Sequence, residues 1–197
     1  MKSIKQLCAL MLGLCCFALL AADLNSTHIL EAREIVNQFF GSLKGELQAA
    51  LQEGGPVTAI SICKLKAPRL TKEFSSLSGW YIARTALKLR NQNNHPDDWE
   101  KRVMEEFEVR KANGESLQNM EYSEVVTVEG KKIFRYMQAI EVKELCLNCH
   151  GQNIKPEIRR ILRQLYPNDL ATGFEKGDFR GAFTLAKSLE NLPDDTR

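Results

Sequence analysis

The chain has 197 residues, 44% of them hydrophobic and 26% charged, with a formal net charge of +2. Lys2 and Lys5 account for the whole surplus, so residues 23–197 carry 25 bases against 25 acids. So weak a field excludes nucleic acid as an expected partner, and about 175 residues without an internal repeat or low-complexity linker suit one domain, 23–197, with its own core.

Lys2 and Lys5 precede an apolar run over residues 7–22 (LCALMLGLCCFALLAA), after which Asp23 and Asn25 restore polarity. Basic start, apolar middle and small residues at the end make residues 1–22 a signal peptide, and hence predict an exported, periplasmic protein. The run falls short of the roughly 20 residues that cross a bilayer, so an uncleaved membrane anchor is the lesser alternative. Neither Cys15 nor Cys16 follows a small residue, as a lipid-modified cysteine requires, and both read as apolar filler.

From Ser26 or Thr27 a helix is predicted, with Ile29, Ala32, Val36, Phe39, Leu43, Leu47 and Ala50 at steps of three and four, ended by Gly54-Gly55-Pro56. Its stripe suits core packing first and a homodimer contact second. Residues 57–63 (VTAISIC) read as a strand or a buried helical turn that aims Cys63 inward, and Ala67-Pro68 opens a short helix to about Leu77. Residues 79–89 (GWYIARTALKL) read as a strand. On that reading Arg84, Lys88 and Arg90 share one face by period two, as a solvated basic edge or as the wall of an anion site. A polar loop follows, in which His95 before Pro96 suits the surface, and a helix starts at Asp97 or Asp98 and runs to about Ala112. Residues 121–142 form a hairpin turning at Glu129-Gly130. Met104, Met120 and Met137 suit the core.

The hairpin runs into Cys146-Leu147-Asn148-Cys149-His150, the C-x-x-C-H pattern of covalent c-type haem attachment. Two thiols three positions apart can each add to one vinyl group of a porphyrin, and the next imidazole then reaches the iron. A redox dithiol does not need the histidine. A zinc site would draw on Cys63, Cys146, Cys149 and His150, yet adjacent Cys149 and His150 can hardly both point at one small tetrahedral ion. On the haem reading Arg84, Lys88 and Arg90 become candidate propionate contacts. Cys8, Cys15 and Cys16 lie in the signal segment, so Cys63 alone is uncommitted: buried and inert, an intermolecular bridge, or a ligand. Residues 156–166 form a basic amphipathic helix with a solvated face, and residues 177–188 a last strand. Strands before, between and after helices predict an α+β domain with a mainly antiparallel sheet.

Four blocks together resemble a bacterial family of exported single-haem proteins, catalogued as a domain of unknown function and similar in fold to PAS sensor domains. They are Cys63 with Ala67-Pro68; Arg84-Thr85 through Leu87, Arg90-Asn91, Asn94, Pro96 and Trp99-Glu100; Cys146 to Gly151; and Tyr166-Pro167 through Asp169, Ala171-Thr172-Gly173 and Gly177-Asp178 to Arg180-Gly181-Ala182-Phe183. Ala86 and Gln92 depart mildly from the family pattern. The resemblance implies a PAS-like antiparallel sheet flanked by helices, one covalent haem c, His150 as proximal iron ligand and Cys63 as distal iron ligand. Two strong axial ligands disfavour oxygen or peroxide chemistry and leave a low-potential electron carrier or redox sensor, working with an unknown periplasmic redox or signalling partner. The alternative is a haem enzyme or gas sensor in which a small oxidant displaces the distal ligand.

Overall fold

The structure, a computed structural model, describes residues 2–190, with side chains from residue 25 onward. The signal peptide expected over residues 1–22, with Cys8, Cys15 and Cys16, falls on side chains outside the described residues. Among the described residues no helix is long and apolar enough to cross a membrane. The chain divides into two compact units, residues 1–34 and 35–197. Within the first, His28 Nδ1 lies 3.6 Å from the Glu31 carboxylate one helical turn on.

Helix α1 (Lys2–Ser78) breaks at Gly54 and Gly55, whose backbones leave the helical region, Gly55 at φ 69°. Glycine alone visits that region at no steric cost, and Pro56, with its fixed φ, restarts the helix. The break was legible in the sequence. Beyond it residues 57–63 are helical, one of the two forms the sequence allowed, while Pro68 lies inside the helix instead of opening a new one. Four β-branched residues in a row of seven favour a strand only weakly, and burial of Ala59 and Ile60 decides for helix. Gly79, at φ 73°, closes the helix by donating to the Ser75 carbonyl.

Strands β1 (Tyr81–Thr85), β2 (Glu121–Val128), β3 (Lys131–Glu141) and β4 (Phe179–Ser188) form one antiparallel sheet in the order β1-β4-β3-β2. The β2–β3 hairpin turns at Glu129 and Gly130, both with positive φ (50° and 79°), the pair of left-handed residues that a two-residue hairpin demands. Helix α2 (Asp98–Ala112) begins in a capping box, Asp97 accepting from the Glu100 amide and Glu100 from the Asp97 amide. Removing such a cap costs about 1 kcal/mol.

The sheet packs on both faces. Trp99, Val103, Met104 and Phe107 of α2 meet Met120, Met137, Phe179 and Ala182 on one side. On the other, Phe39 of α1 meets Phe74 at 5.4 Å with the rings tilted and lies edge-on at 5.8 Å against Phe183, and Trp80 meets Phe134 at 5.9 Å. The fold is therefore α+β with an antiparallel sheet and a long N-terminal helix, as the sequence led us to expect. The helical turn α3 (Leu147–His150) and helix α4 (Pro156–Leu165) lie between β3 and β4.

Candidate functional site

The end of β3 delivers a tight turn, Glu144–Cys146, directly into α3. On such a turn residues three apart share a face, which sets Cys146 and Cys149 side by side. Their surroundings differ: Cys146 packs with Leu147 against Val142, Ala171 and Phe174, whereas Cys149 packs against Ile60, Ile154, Ile158 and Leu162. Both thiols are free. Burial pushes the Cys149 thiol up, and the Arg90 charge opposes that shift.

His150 ends the turn with its ring fixed. Its Nδ1 lies 2.7 Å from the Ala171 carbonyl, which can only accept, so Nδ1 carries the proton and Nε2 keeps a lone pair. Phe174 meets the ring edge-on at 6.3 Å. The imidazole is held well below its usual pKa by burial, then by the charges of Arg180 and Arg90 and, more weakly, Arg84, against the Ala171 carbonyl, which pulls the other way. A neutral, tautomer-fixed imidazole is the form that ligates metal ions. Gly151 follows because a side chain there would lie 2.7 Å from the Leu147 carbonyl oxygen, and its own carbonyl accepts from Gly173.

Arg90 ties these pieces together. Its guanidinium pairs with Asp169 at 3.0 Å, donates to the carbonyls of Cys149 (2.5 Å) and Ala171 (3.1 Å), and comes within 3.4 Å of His150 Nε2. That last contact is long for a hydrogen bond, with the guanidinium facing the Nε2 lone pair. Asp169 also accepts from the Ala171 amide, so one carboxylate fixes both the arginine and the segment that holds the histidine.

The expected basic face is reached by another route. Only Arg84 lies in β1, which stops at Thr85, so Arg84, Lys88 and Arg90 do not alternate along one strand. The chain turns after Thr85, bringing Arg90 onto His150 and leaving Lys88 exposed at the rim, its ammonium 5.1 Å from the Phe174 ring. Arg84 lies close enough to Cys63 and Tyr166 for its charge to act on both thiol and phenol.

A fourth cation, Arg180, escaped sequence reasoning. Partners Ile140–Gly181 and Glu141–Phe179 leave Arg180 without an opposite residue, so β4 bulges there and re-aims it. It donates to the Lys88 carbonyl at 3.1 Å and lies 5.5 Å from the Phe174 ring centroid. Burial, reinforced by Arg90, lowers its pKa to about 10. The available signal was Gly181, a glycine inside a strand pattern.

Cys63 lies on the part of α1 beyond the break, within electrostatic reach of Arg84, Cys149 and Tyr166. The neighbouring Lys64 anchors this stretch, donating at 2.9 Å to the carbonyl of Leu165 at the end of α4. Burial raises the Cys63 pKa, with Arg84 opposing. Among the described residues no three His, Cys, Asp or Glu side chains gather as a metal cluster, so the four nominal zinc ligands are not brought to one point.

An α+β fold that converges a fixed histidine, two thiols and three arginines defines a class of small domain built around one buried polar site. The particular family is also clear: the Tll0287-like family model matches residues 18–188, and the chain belongs to that family. Among solved structures the chain is similar to one described as the cyanobacterial heme-protein Tll0287, at 21% identity and a TM-score of 0.64, over 82% of this chain and 95% of that one. That likeness is one of fold. No curated protein matches the chain.

Proposed function

We propose that this chain is an exported haem protein of the c type, in which Cys146 and Cys149 would hold the haem covalently and His150 and Cys63 would ligate its iron. The observation that carries the reading is that a tautomer-fixed imidazole and two thiols in separate apolar clusters meet on one turn, with Arg84, Arg90 and Arg180 near enough for their charges to act on the imidazole. Each part fits the group. A macrocycle is wide enough for its two edges to meet thiols in different clusters, while a small ion is not. Asp169 pairs with Arg90 and acts on Arg180, while the groups that act on Arg84 are Cys63 and Tyr166, an excess of positive charge that suits two propionates. The description of the solved relative as a heme-protein supports the same cofactor.

When bound, the group supplies one-electron exchange at iron. The protein's own residues supply the rest. Ala171 fixes the His150 ring through Nδ1, Arg90 fixes Ala171 and the Cys149 carbonyl, and the apolar clusters of Ile60, Ile154, Ile158, Leu162 and Val142 half-bury the two thiols. Burial raises the Cys63 pKa with Arg84 opposing, and Cys63 would hold the iron as a thiolate when the group is bound. A thiolate so placed favours the oxidised metal, hence a low-potential electron carrier or redox sensor rather than an enzyme. The sensing half of the reading draws on the PAS-like fold that the resemblance implies, an analogy of architecture. Such a protein works in the periplasm, where thioethers form.

Mass spectrometry of the chain matured in a periplasm tests this. Its mass should exceed that of the processed polypeptide by one haem, the pyridine haemochrome should be of the c type, and Cys146→Ala with Cys149→Ala should abolish both. A wild-type mass equal to the bare polypeptide would end the reading.

A further inference from the structure

Helix α4 has two unlike faces. Ile158 and Leu162 point inward and are buried, forming with Ile60 and Ile154 the apolar cluster on which Cys149 packs. Arg159, Arg160 and Arg163 point outward and are exposed, as is Lys155 just before the helix, with Glu157 the single acid between them. The three arginines, with Ile154 and Pro156, border a depression of about 410 Å³. Among the described residues none of these four bases has an ion-pair partner. Against a chain with no net charge beyond residue 22, four bases within nine residues is a local concentration, and arginine is the side chain suited to bidentate capture of carboxylates.

We infer that this arginine face is where an acidic redox protein docks to exchange electrons through the Cys149 edge, an inference that rests on the proposed haem attachment. The thiol of Cys149 packs on the inner residues of the helix that bears the arginines on its outside, so about one helix diameter, roughly 10 Å, separates the attachment point from a docked surface. An anionic membrane is the weaker occupant, because interfacial helices need an exposed apolar face and the apolar residues of α4 are used inside the fold. Steering by such a patch raises association rates about 10- to 1000-fold at low salt and fades as the Debye length shrinks below the patch size.

The test uses the mature haem-loaded protein in three forms: wild type, Arg159→Glu with Arg160→Glu and Arg163→Glu, and Lys131→Glu with Lys132→Glu at the β2–β3 hairpin as a control for charge reversal away from α4. Stopped-flow oxidation of the reduced protein is followed with ferricyanide, an anion, and with hexaammineruthenium(III), a cation, across ionic strength. Ferricyanide should react with wild type at a rate that falls as salt rises. The arginine variant should be about tenfold slower with ferricyanide at low salt and faster with the ruthenium complex, while the hairpin variant stays within about twofold of wild type. The corresponding Arg→Gln triple variant should fall between. A second readout does not involve haem: a fluorescent oligoglutamate peptide should bind wild type at low salt by anisotropy, and the arginine variant should lose that binding. Equal ferricyanide rates in the arginine and hairpin variants would overturn the inference while leaving the haem reading intact, as would peptide binding without any change in rate. A wild-type chain without haem would remove both.

Discussion

The Nδ1 atom of His150 lies 2.7 Å from the carbonyl oxygen of Ala171, and the same carbonyl accepts from Arg90 at 3.1 Å. One backbone oxygen thus sets the tautomer of the imidazole and is itself positioned by a guanidinium that also grips Asp169 and Cys149. The side chains of Arg90 and Asp169 are 12% and 9% exposed, so their pair sits in a poorly screened setting. Arg90→Gln should therefore destabilise the fold by about 2–4 kcal/mol, chiefly because Asp169 is left buried without its cation. Asp169→Asn should recover part of that loss in the double variant. Urea unfolding of the four proteins measures the coupling, and simple additivity would show that the two residues act independently.

Cys63→Ser should raise the reduction potential and open the iron to carbon monoxide or cyanide, because a hydroxyl is a far weaker anionic donor than a thiolate. The ferric absorption spectrum of wild type should carry a thiolate charge-transfer band that the variant lacks. Should Cys63→Ala leave spectrum and potential unchanged, another residue holds the sixth position.

The thiols and histidine of the proposed site were more legible in the sequence than its arginines. Cys146, Cys149 and His150 stood out through their C-x-x-C-H spacing, and α2 and the β2–β3 hairpin because capping and turn residues are local signals. Residues 57–63 stayed open between strand and helical turn because β-branched composition is a weak preference, and the helix forms with Ala59 and Ile60 buried. Arg90 stood out through a strand periodicity that in fact ends at Thr85, and it reaches His150 instead through a turn whose path depends on contacts with Asp169 and Ala171, about 80 positions away. Arg180 was hidden for a similar reason. A bulge is a property of two paired strands, and no single strand's pattern records it.

Acid should weaken the segment that joins α4 to β4. Asp178 accepts from the Glu175 amide at 2.7 Å and from Lys111 of α2 at 3.0 Å, and these bonds, the amide foremost, hold its carboxyl below the usual aspartate range. A depressed folded-state pKa contributes stability that is present above the unfolded value of about 3.9 and is lost as pH falls through the lower folded value. The stability gap between wild type and Asp178→Asn should accordingly be full at neutral pH and shrink below about pH 4. A gap that stayed constant with pH would locate the effect elsewhere. Because the side chain is about one-third exposed, salt should narrow the gap at neutral pH as well.

The last prediction concerns Gly181, on which the aim of Arg180 depends. Its φ of 147° lies where side-chain-bearing residues are rare, and a Cβ built there would stand 2.4 Å from the Thr85 carbonyl oxygen and 2.9 Å from the Ala86 Cβ. Neither neighbour can swing aside, since the first is backbone in β1 and the second a side-chain stub. Gly181→Ala should therefore push β4 away from the end of β1, at a cost of about 1–3 kcal/mol from backbone strain and overpacking. The displacement would undo the bulge and with it the bond from Arg180 to the Lys88 carbonyl. Hydrogen exchange should report the change as lost amide protection at the β1–β4 junction, around Thr85 and Ala182, with the β2–β3 hairpin unaffected. Uniform loss of protection across the sheet would instead mean that the variant is globally destabilised, and that Gly181 has no special role in setting Arg180.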